Sequence, residues 1–473
     1  MSELLTLNIS QILEGLNKKQ FSAVEVTRAY LDKIEKTRVL NMYLEVSSDK
    51  AIEMAKKADE NYKNNTARLL EGIPVGVKDM FCTEGIKTTA SSKILENFVP
   101  TYESTVSNKL WQEGAINLGK LSCDEFAMGS SNETAALGNV INPWKAKEQR
   151  SPGGSSGGSA AAVKADLCHA ALGTDTGGSI RQPAAFCNIV GLKPTYGLVS
   201  RHGLIAFASS FDQIGPITKC LKDALSITSV ISGRDDFDST CIGDKIKEID
   251  QEKKIKKLTF GVVKQAIDFP EIDSSIKQQF LNFIDKIKTQ GHKINYIDLP
   301  LLEHLTPAYY IMTTAEASSN LSRYDGIKYG YQHSANDLDE LIIKTRTHGF
   351  GKEVKRRIML GTFVLSSGYY EAYYQKAQKV RQLIKKETEN ILEKHDYILL
   401  PTTPNKPFKI GKKISVTKRY YEDVFTVQAN LSGHPALSFP LAGDQKFNAS
   451  AQLIGKYFSE TNMFHVANKL LNN

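Results

Sequence analysis

Between Gly72 and about Leu225, short apolar segments are punctuated by glycine-rich turns, and this alternation limits the possible folds more than any other feature of the chain. Ile73–Val77, Ala170–Leu172 and Ile189–Leu192 read as strands, and strands alternating with helical stretches imply α/β layers. The first sixty residues read as helices, with Ser22 and Glu25 in capping-box spacing ahead of the apolar positions Val26, Tyr30 and Ile34. Residues 232–305 are lysine-rich, with strands expected at Leu258–Val263 and Ile294–Leu299 around a helix near 275–289, so they continue the sheet and do not form a linker. A long helix is expected over Ser367–His395, with Ala377, Val380, Leu383, Ile384 and Ile391 on its apolar side, followed by a strand at Tyr397–Leu400. At 473 residues the chain exceeds the ~250–300 at which single cores stop growing easily, which leaves two lobes or one very large α/β domain.

Composition excludes several classes. Hydrophobic content of 41% with 24% charged residues is that of a globular protein, which argues against a disordered or fibrous chain. The uncharged run Val424–Gly443 holds Gln428, Asn430, Ser432, His434, Pro435 and Pro440, so it reads as strand and turn inside a core and no membrane span is expected. The start, Met1-Ser2-Glu3-Leu4-Leu5, lacks the basic and apolar segments of a leader, which makes the cytoplasm the expected location. Six cysteines form no Cys-x-x-Cys pair and read as buried thiols; nine histidines show no His-x-x-x-His spacing, so no catalytic metal is expected. The net charge of +8 weakly favours a polyanionic partner such as tRNA. Its densest piece is Lys344, Arg346, Lys352, Lys355, Arg356 and Arg357, and a solvated helix face is the usual explanation of such a run.

Three segments carry chemistry. Ser151-Pro152-Gly153-Gly154-Ser155-Ser156-Gly157-Gly158-Ser159 leads into Ala160-Ala161-Ala162-Val163, a loop entering a helix. Such loops bind anions, yet the P-loop and dinucleotide patterns are both missing. The loop matches Gly-x-Ser-x-Gly at Ser155 and at Ser156, but a nucleophile elbow needs a strand before it, where Lys145–Arg150 is polar, and a later histidine, for which His434 is the candidate. Gly173-Thr174-Asp175-Thr176-Gly177-Gly178-Ser179-Ile180-Arg181 follows a strand and reads either as a tight turn or as converging N–H groups beside the Ser179 hydroxyl. Gly72-Ile73-Pro74-Val75-Gly76-Val77-Lys78-Asp79 ends a strand on a lysine. A lone lysine is usually a surface residue, but one buried among hydroxyls loses its preference for the charged form and can act as a base.

Together and in this order the three segments resemble the amidase signature family. The resemblance implies an α/β fold with a large mixed central sheet covered by helices on both faces, in one domain spanning 1–473. Within it would lie an N-terminal helical segment at 1–65, a catalytic core at 66–225 and a remainder with the substrate-binding lobe at 226–473. It implies a catalytic triad of Lys78, Ser155 and Ser179, a cis peptide before Ser155, and an oxyanion hole of N–H groups at Thr176, Gly177, Gly178 and Ser179. Long segments, including Ser200–Pro216, Ser322–Gly326, Lys355–Thr362 and Ser366–Tyr370, are similar to the glutamine-hydrolysing subunits of tRNA-dependent amidotransferases within this family. That likeness implies glutamine as substrate, held by Arg357 and Asp423 with Tyr309 and Met128. It also implies a heterotrimer with two other subunits, one of which uses ATP and Mg to activate misacylated tRNA, with no cofactor in this chain. His202 and Phe211 stand where Phe and Leu are expected, Gln428-Ala429-Asn430 replaces Pro-Val-Asn, and Asn448–Gln452 lacks a Gly-Leu-Gln. A stand-alone amidase with the same triad is the alternative enzyme, and a noncatalytic nucleic-acid-binding protein the alternative outside enzymes.

Overall fold

A computed structural model describes residues 3–144, 148–246, 257–412, 415, 421–441 and 447–472. Among these residues, eleven strands build one mixed sheet. They are β1 (Tyr43–Val46), β2 (Pro74–Lys78), β3 (Ile116–Leu121), β4 (Ala170–Thr174), β5 (Val190–Lys193), β6 (Ile214–Thr218), β7 (Thr259–Val263), β8 (Lys293–Ile297), β9 (Tyr397–Pro401), β10 (Ala436–Pro440) and β11 (Ser450–Ile454). The strand order is β1-β3-β2-β4-β6-β5-β10-β11-β9-β7-β8. Pairing is parallel at β3-β2-β4 and at β9-β7-β8, and antiparallel through the middle. The expected strands at 73–77, 170–172, 189–192, 258–263, 294–299 and 397–400 are all present, each displaced by two residues at most. The helix near 275–289 is Ser274–Thr289.

The site is positioned by the parallel trio. Every residue of β2, β3 and β4 is buried, because helices cover both faces; hence these strands are continuous runs without polar alternation. β2 and β4 lie side by side, Val77 opposite Leu172, so Lys78 and Thr174 finish neighbouring strands at the same edge. The carboxyl ends of parallel strands are where open α/β sheets place ligands. Helix Gly157–Lys164 packs here on a face of glycine, serine and alanine, and Gly157–Val163 are buried throughout.

Four expectations need correction. The first sixty residues are not all helical: between helices Ala23–Lys36 and Ser48–Lys63 runs β1, an edge strand antiparallel to β3. Its four half-buried residues carry no apolar alternation that would announce a strand. The long helix over 367–395 is a π turn at Tyr370–Gln375 followed by an α-helix at Lys376–Lys394. Leu383 is exposed, because the buried stripe runs through Ala377, Ile384, Thr388 and Leu392 and Leu383 lies one residue off it. Within Val424–Gly443 the structure has a helix, Val427–Ser432, as well as the expected strand, and residues 442 and 443 lie outside the described residues.

The expectations for the first helices and the cysteines are met. The Ser22 capping box forms, and Val26, Tyr30 and Ile34 are buried. All six cysteines are free, and all but Cys220 are fully buried. No helix among the described residues is long and apolar enough to cross a membrane.

Helix propensity and packing oppose each other at Gly158. Alanine is the better helix former by ~1 kcal/mol. A Cβ at Gly158, however, would collide with the backbone carbonyl oxygen of Ser122, to which the Gly158 N–H already donates at 3.1 Å. Gly158→Ala should therefore lower stability by about 1–3 kcal/mol, read as a reduced urea midpoint at unchanged slope. An unchanged or higher midpoint would show that the helix can shift away from β3.

Candidate active site

Three hydroxyls surround the Lys78 amine. Its Nζ lies 2.7 Å from Ser155 Oγ, 3.0 Å from Ser156 Oγ and 2.6 Å from Thr174 Oγ1. Lys78 is fully buried, and burial pushes its pKa down to about 8 from an ordinary 10.5, against the pull of Cys123 and of the Asp124, Asp212 and Asp175 carboxylates. About one amine in ten is then neutral at pH 7.

The two serines on Lys78 differ. Ser156 Oγ donates to the Thr174 carbonyl at 3.1 Å and also accepts from the Thr174 N–H at 3.2 Å, so its proton is committed to β4. Ser155 Oγ only receives Lys78 among the described residues, which leaves its own proton free to move. The peptide bond Gly154–Ser155 is cis, as the family resemblance implies.

Ser179 enters the same place from the loop after β4. Its backbone carbonyl accepts from the Ser156 N–H at 3.1 Å, which brings the two loops together. Its hydroxyl makes no hydrogen bond among the described residues, and it is 8% exposed where Lys78 and Ser155 are 0%. Geometry thus joins Lys78 to Ser155 directly, while the step from Ser155 to Ser179 is open. Catalytic hydrogen bonds in ligand-free sites commonly close only when substrate is bound.

The converging N–H groups are distributed differently from expectation. The Gly178 N–H donates to Asp175 Oδ1 at 2.9 Å, so in this state it is engaged with the loop scaffold. The N–H groups of Thr176, Gly177 and Ser179 make no hydrogen bond among the described residues, the condition an oxyanion hole requires. Both glycines are sterically required. A Cβ on Gly177 would stand 2.5 Å from Tyr309 Cζ, and Gly178, at φ +134, has Thr426 where its Cβ would be.

Asp175 and Arg181 hold this loop and escaped sequence reasoning. Both are fully buried, with Arg181 Nε on Asp175 Oδ2 and Nη2 on Oδ1, each at 2.9 Å. Burial alone would raise the Asp175 pKa, but the Arg181 guanidinium and the Asn430 amide hold it at about 2. Arg181 also donates to the Thr426 carbonyl, Gln452 Oε1 and Asn430 Oδ1, tying the loop to the C-terminal third. Asp124 is a second unforeseen anchor. Its carboxylate accepts from the N–H groups of Ser131, Asn132 and Thr134, and its own N–H donates to the Ser155 carbonyl at 3.1 Å.

Of the four expected substrate residues, Tyr309 comes nearest to the Ser179 loop. Tyr309 lies over Gly177, and Met128 is buried in the same apolar cluster as Tyr309. Arg357 is 4% exposed, with its guanidinium 5.5 Å from the Phe207 ring and 5.3 Å from the Tyr310 ring, and Nε donates to Glu353 at 2.9 Å. Asp423 is 8% exposed and its carboxylate makes no hydrogen bond among the described residues. Burial and the neighbouring Glu422 raise its pKa well above the ordinary value, opposed by Arg357.

His434 takes no part. It is buried, stacked on Tyr457 with centroids 4.0 Å apart, and desolvation pushes its pKa to about 3. The loop before Ser155 holds no strand from Glu148 to Gly154, and residues 145–147 lie outside the described residues. The elbow reading therefore lacks both its strand and its histidine. The basic run is largely spent within the chain: Lys344 pairs with Glu340, Arg346 with the carbonyls of Leu321 and Tyr324, Lys355 with that of Thr347, and Arg356 and Arg357 with Glu353. No cluster of potential metal ligands occurs among the described residues.

Only a neutral amine accepts a proton, and the Lys78 amine is neutral above its pKa. Amide hydrolysis should consequently show kcat/KM rising with pH through about 8. Lys78→Arg, protonated at every accessible pH, should abolish that rise and lower kcat/KM by ~100-fold or more. A profile with no inflection between about pH 6 and pH 9 would contradict the assignment.

Comparison with known proteins agrees with this geometry. The family described as Amidase matches residues 25–464. The chain is 50% identical over 450 residues to the glutamyl-tRNA(Gln) amidotransferase A subunit of Caulobacter sp. (strain K31), covering 94% of this chain and 92% of that one. It is 48% identical over 472 residues to the protein of the same name from Pelagibacter ubique (strain HTCC1062), covering 99% and 96%. The crystal structure of the glutamyl-tRNA(Gln) amidotransferase A subunit from Thermotoga maritima superposes with a TM-score of 0.79 at 38% identity, covering 98% of this chain and 93% of that one. With the match spanning nearly the whole sequence and the Lys78–Ser155 geometry in place, the chain belongs to the amidase signature family.

Proposed function

We propose that this chain hydrolyses the side-chain amide of glutamine and supplies the ammonia to a tRNA-dependent amidotransferase of which it is one subunit. The observation that carries the reading is Asp423, a buried carboxylate left without a hydrogen bond among the described residues, with Arg357 as its electrostatic neighbour. An uncompensated buried carboxylate is costly. The α-ammonium group of an amino-acid amide would compensate it, while the α-carboxylate would meet the Arg357 guanidinium. The relatives named as amidotransferase subunits support the same substrate.

Neutral Lys78 takes the proton of Ser155 as Ser155 takes that of Ser179, and Ser179 Oγ attacks the amide carbon. The N–H groups of Thr176, Gly177 and Ser179 receive the oxyanion. Protonated Lys78 returns its proton through Ser155 to the nitrogen, ammonia leaves, and water then cleaves the glutamyl ester to glutamate. The partner subunits, completing a heterotrimer, would use ATP and Mg to activate Glu-tRNA(Gln) or Asp-tRNA(Asn) and combine the activated carboxylate with the ammonia.

Two outcomes follow from this reading. In the reconstituted complex, Ser179→Ala should abolish glutamine-dependent amidation of tRNA and preserve amidation driven by ammonium chloride; retained glutamine hydrolysis would sink the assignment. Asp423→Ala should cost ~2–4 kcal/mol in kcat/KM for glutamine, yet little for 4-carboxybutanamide, which lacks the α-amino group. Equal losses on both amides would show that Asp423 supports the fold and does not read the substrate.

A further inference from the structure

Glu125 is buried, carries a charge-bearing group the mechanism does not use, and reaches between two parts of the site. It begins the short turn Glu125–Ala127 that leads to Met128, and its carboxylate accepts the Gly351 N–H on both oxygens, at 3.1 and 2.9 Å. Gly351 is the N-cap of helix Lys352–Leu365, which has no cap from its own side chains. A Cβ on Gly351 would strike Glu125 Oε2, so the glycine is there to admit the carboxylate. A negative charge at this end also complements the helix dipole. The Ser92 hydroxyl donates to Oε1 at 2.5 Å and fixes the rotamer.

What the helix carries gives this cap its meaning. Arg357 lies in its second turn, held by Glu353 of the first. On the other side, Glu125 follows Asp124, whose N–H binds the Ser155 carbonyl, and Thr134 Oγ1 joins the two residues by donating to Asp124 Oδ1 and accepting from the Glu125 N–H. One short segment therefore grips the serine relay at one residue and the start of the Arg357 helix at the next.

We infer that Glu125 is a positioning residue that sets the distance between the serine relay and the Arg357 guanidinium, and through it the preference for amides bearing an α-carboxylate. The inference rests on the glutamine reading above for the role of Arg357. Glu125 touches no reacting atom, so its loss acts on recognition and not on the chemical step.

The test compares wild type, Glu125→Gln and Glu125→Ala on glutamine and on 4-aminobutanamide, which keeps the amide and the ammonium group and lacks the carboxylate. Glu125→Ala should raise KM for glutamine on the order of tenfold with kcat little changed, and leave kcat/KM for 4-aminobutanamide within about twofold of wild type. Glu125→Gln, which keeps the shape and one acceptor, should fall between; it also serves should the alanine variant not fold. Parallel losses on both substrates, or an unchanged glutamine KM, would overturn the inference. Hydrogen exchange over 351–358 gives a reading independent of substrate: it should accelerate in Glu125→Gln, and unchanged exchange would overturn the inference by itself. Wild type failing to prefer glutamine over 4-aminobutanamide would instead sink the glutamine reading, with the exchange result still deciding whether Glu125 holds the helix.

Discussion

Keeping water away from one amine is the constraint on which the rest of this structure depends. Lys78 has no carboxylate within hydrogen-bonding distance; three neutral hydroxyls take its Nζ contacts, so nothing there repays the cost of holding a charge away from water. That is why its pKa falls where most lysines in folded proteins keep theirs. Lys120, equally buried on the neighbouring strand, is also pushed down by desolvation, against the pull of Asp79 at 3.9 Å; it differs in its contacts, donating to the Phe81 carbonyl and to Thr83 and Thr88, and to no serine among the described residues. Sealing Lys78 requires strands buried on both faces and a helix close enough to exclude solvent, which explains the small residues of Gly157–Val163.

A closed site must also be rigid, and buried charges supply that. The Asp175–Arg181 pair satisfies its hydrogen-bonding capacity with three backbone N–H groups, a backbone carbonyl and the Asn430 and Gln452 side chains. Breaking such a pair costs several kcal/mol because the remaining charge is stranded, which holds the Ser179 loop against the C-terminal third. Asn430 and Gln452 lie in the two C-terminal segments where the sequence departs from the expected family pattern, yet both keep the polar side chain that meets Arg181. Asp423 is the exception to this pattern: a buried acid whose carboxylate makes no hydrogen bond among the described residues, although the Arg357 charge opposes the rise of its pKa.

The sheet was legible because its strands are short apolar runs bounded by glycine, whereas Lys78, Ser155 and Ser179 became candidates only through three motifs taken together and their likeness to the amidase signature family. β1 was not, being four half-buried residues between helices whose pairing is decided by Gly119 on β3, where any Cβ would strike the Glu45 carbonyl. Leu383 was misplaced because hydropathy does not separate it from its neighbour Ile384, and only one of two adjacent residues can lie on the buried stripe of the helix. Asp124, Asp175 and Arg181 act through partners up to 271 residues away in sequence, a relation no local pattern encodes. The bond from the Gly178 N–H to Asp175 is likewise a relation that only the fold reveals.

The central claim is that Lys78 is a base held near neutrality by desolvation, and direct titration of its amine tests that most sharply. In protein labelled with 15N at lysine side chains, the Lys78 resonance is identified by its loss in Lys78→Met and kept apart from Lys193, whose pKa burial lowers to about 7, by its persistence in Lys193→Met. The account requires that resonance to titrate near 8. A Lys78 amine that stays protonated until it deprotonates with the exposed lysines, at about 10.4, would contradict it.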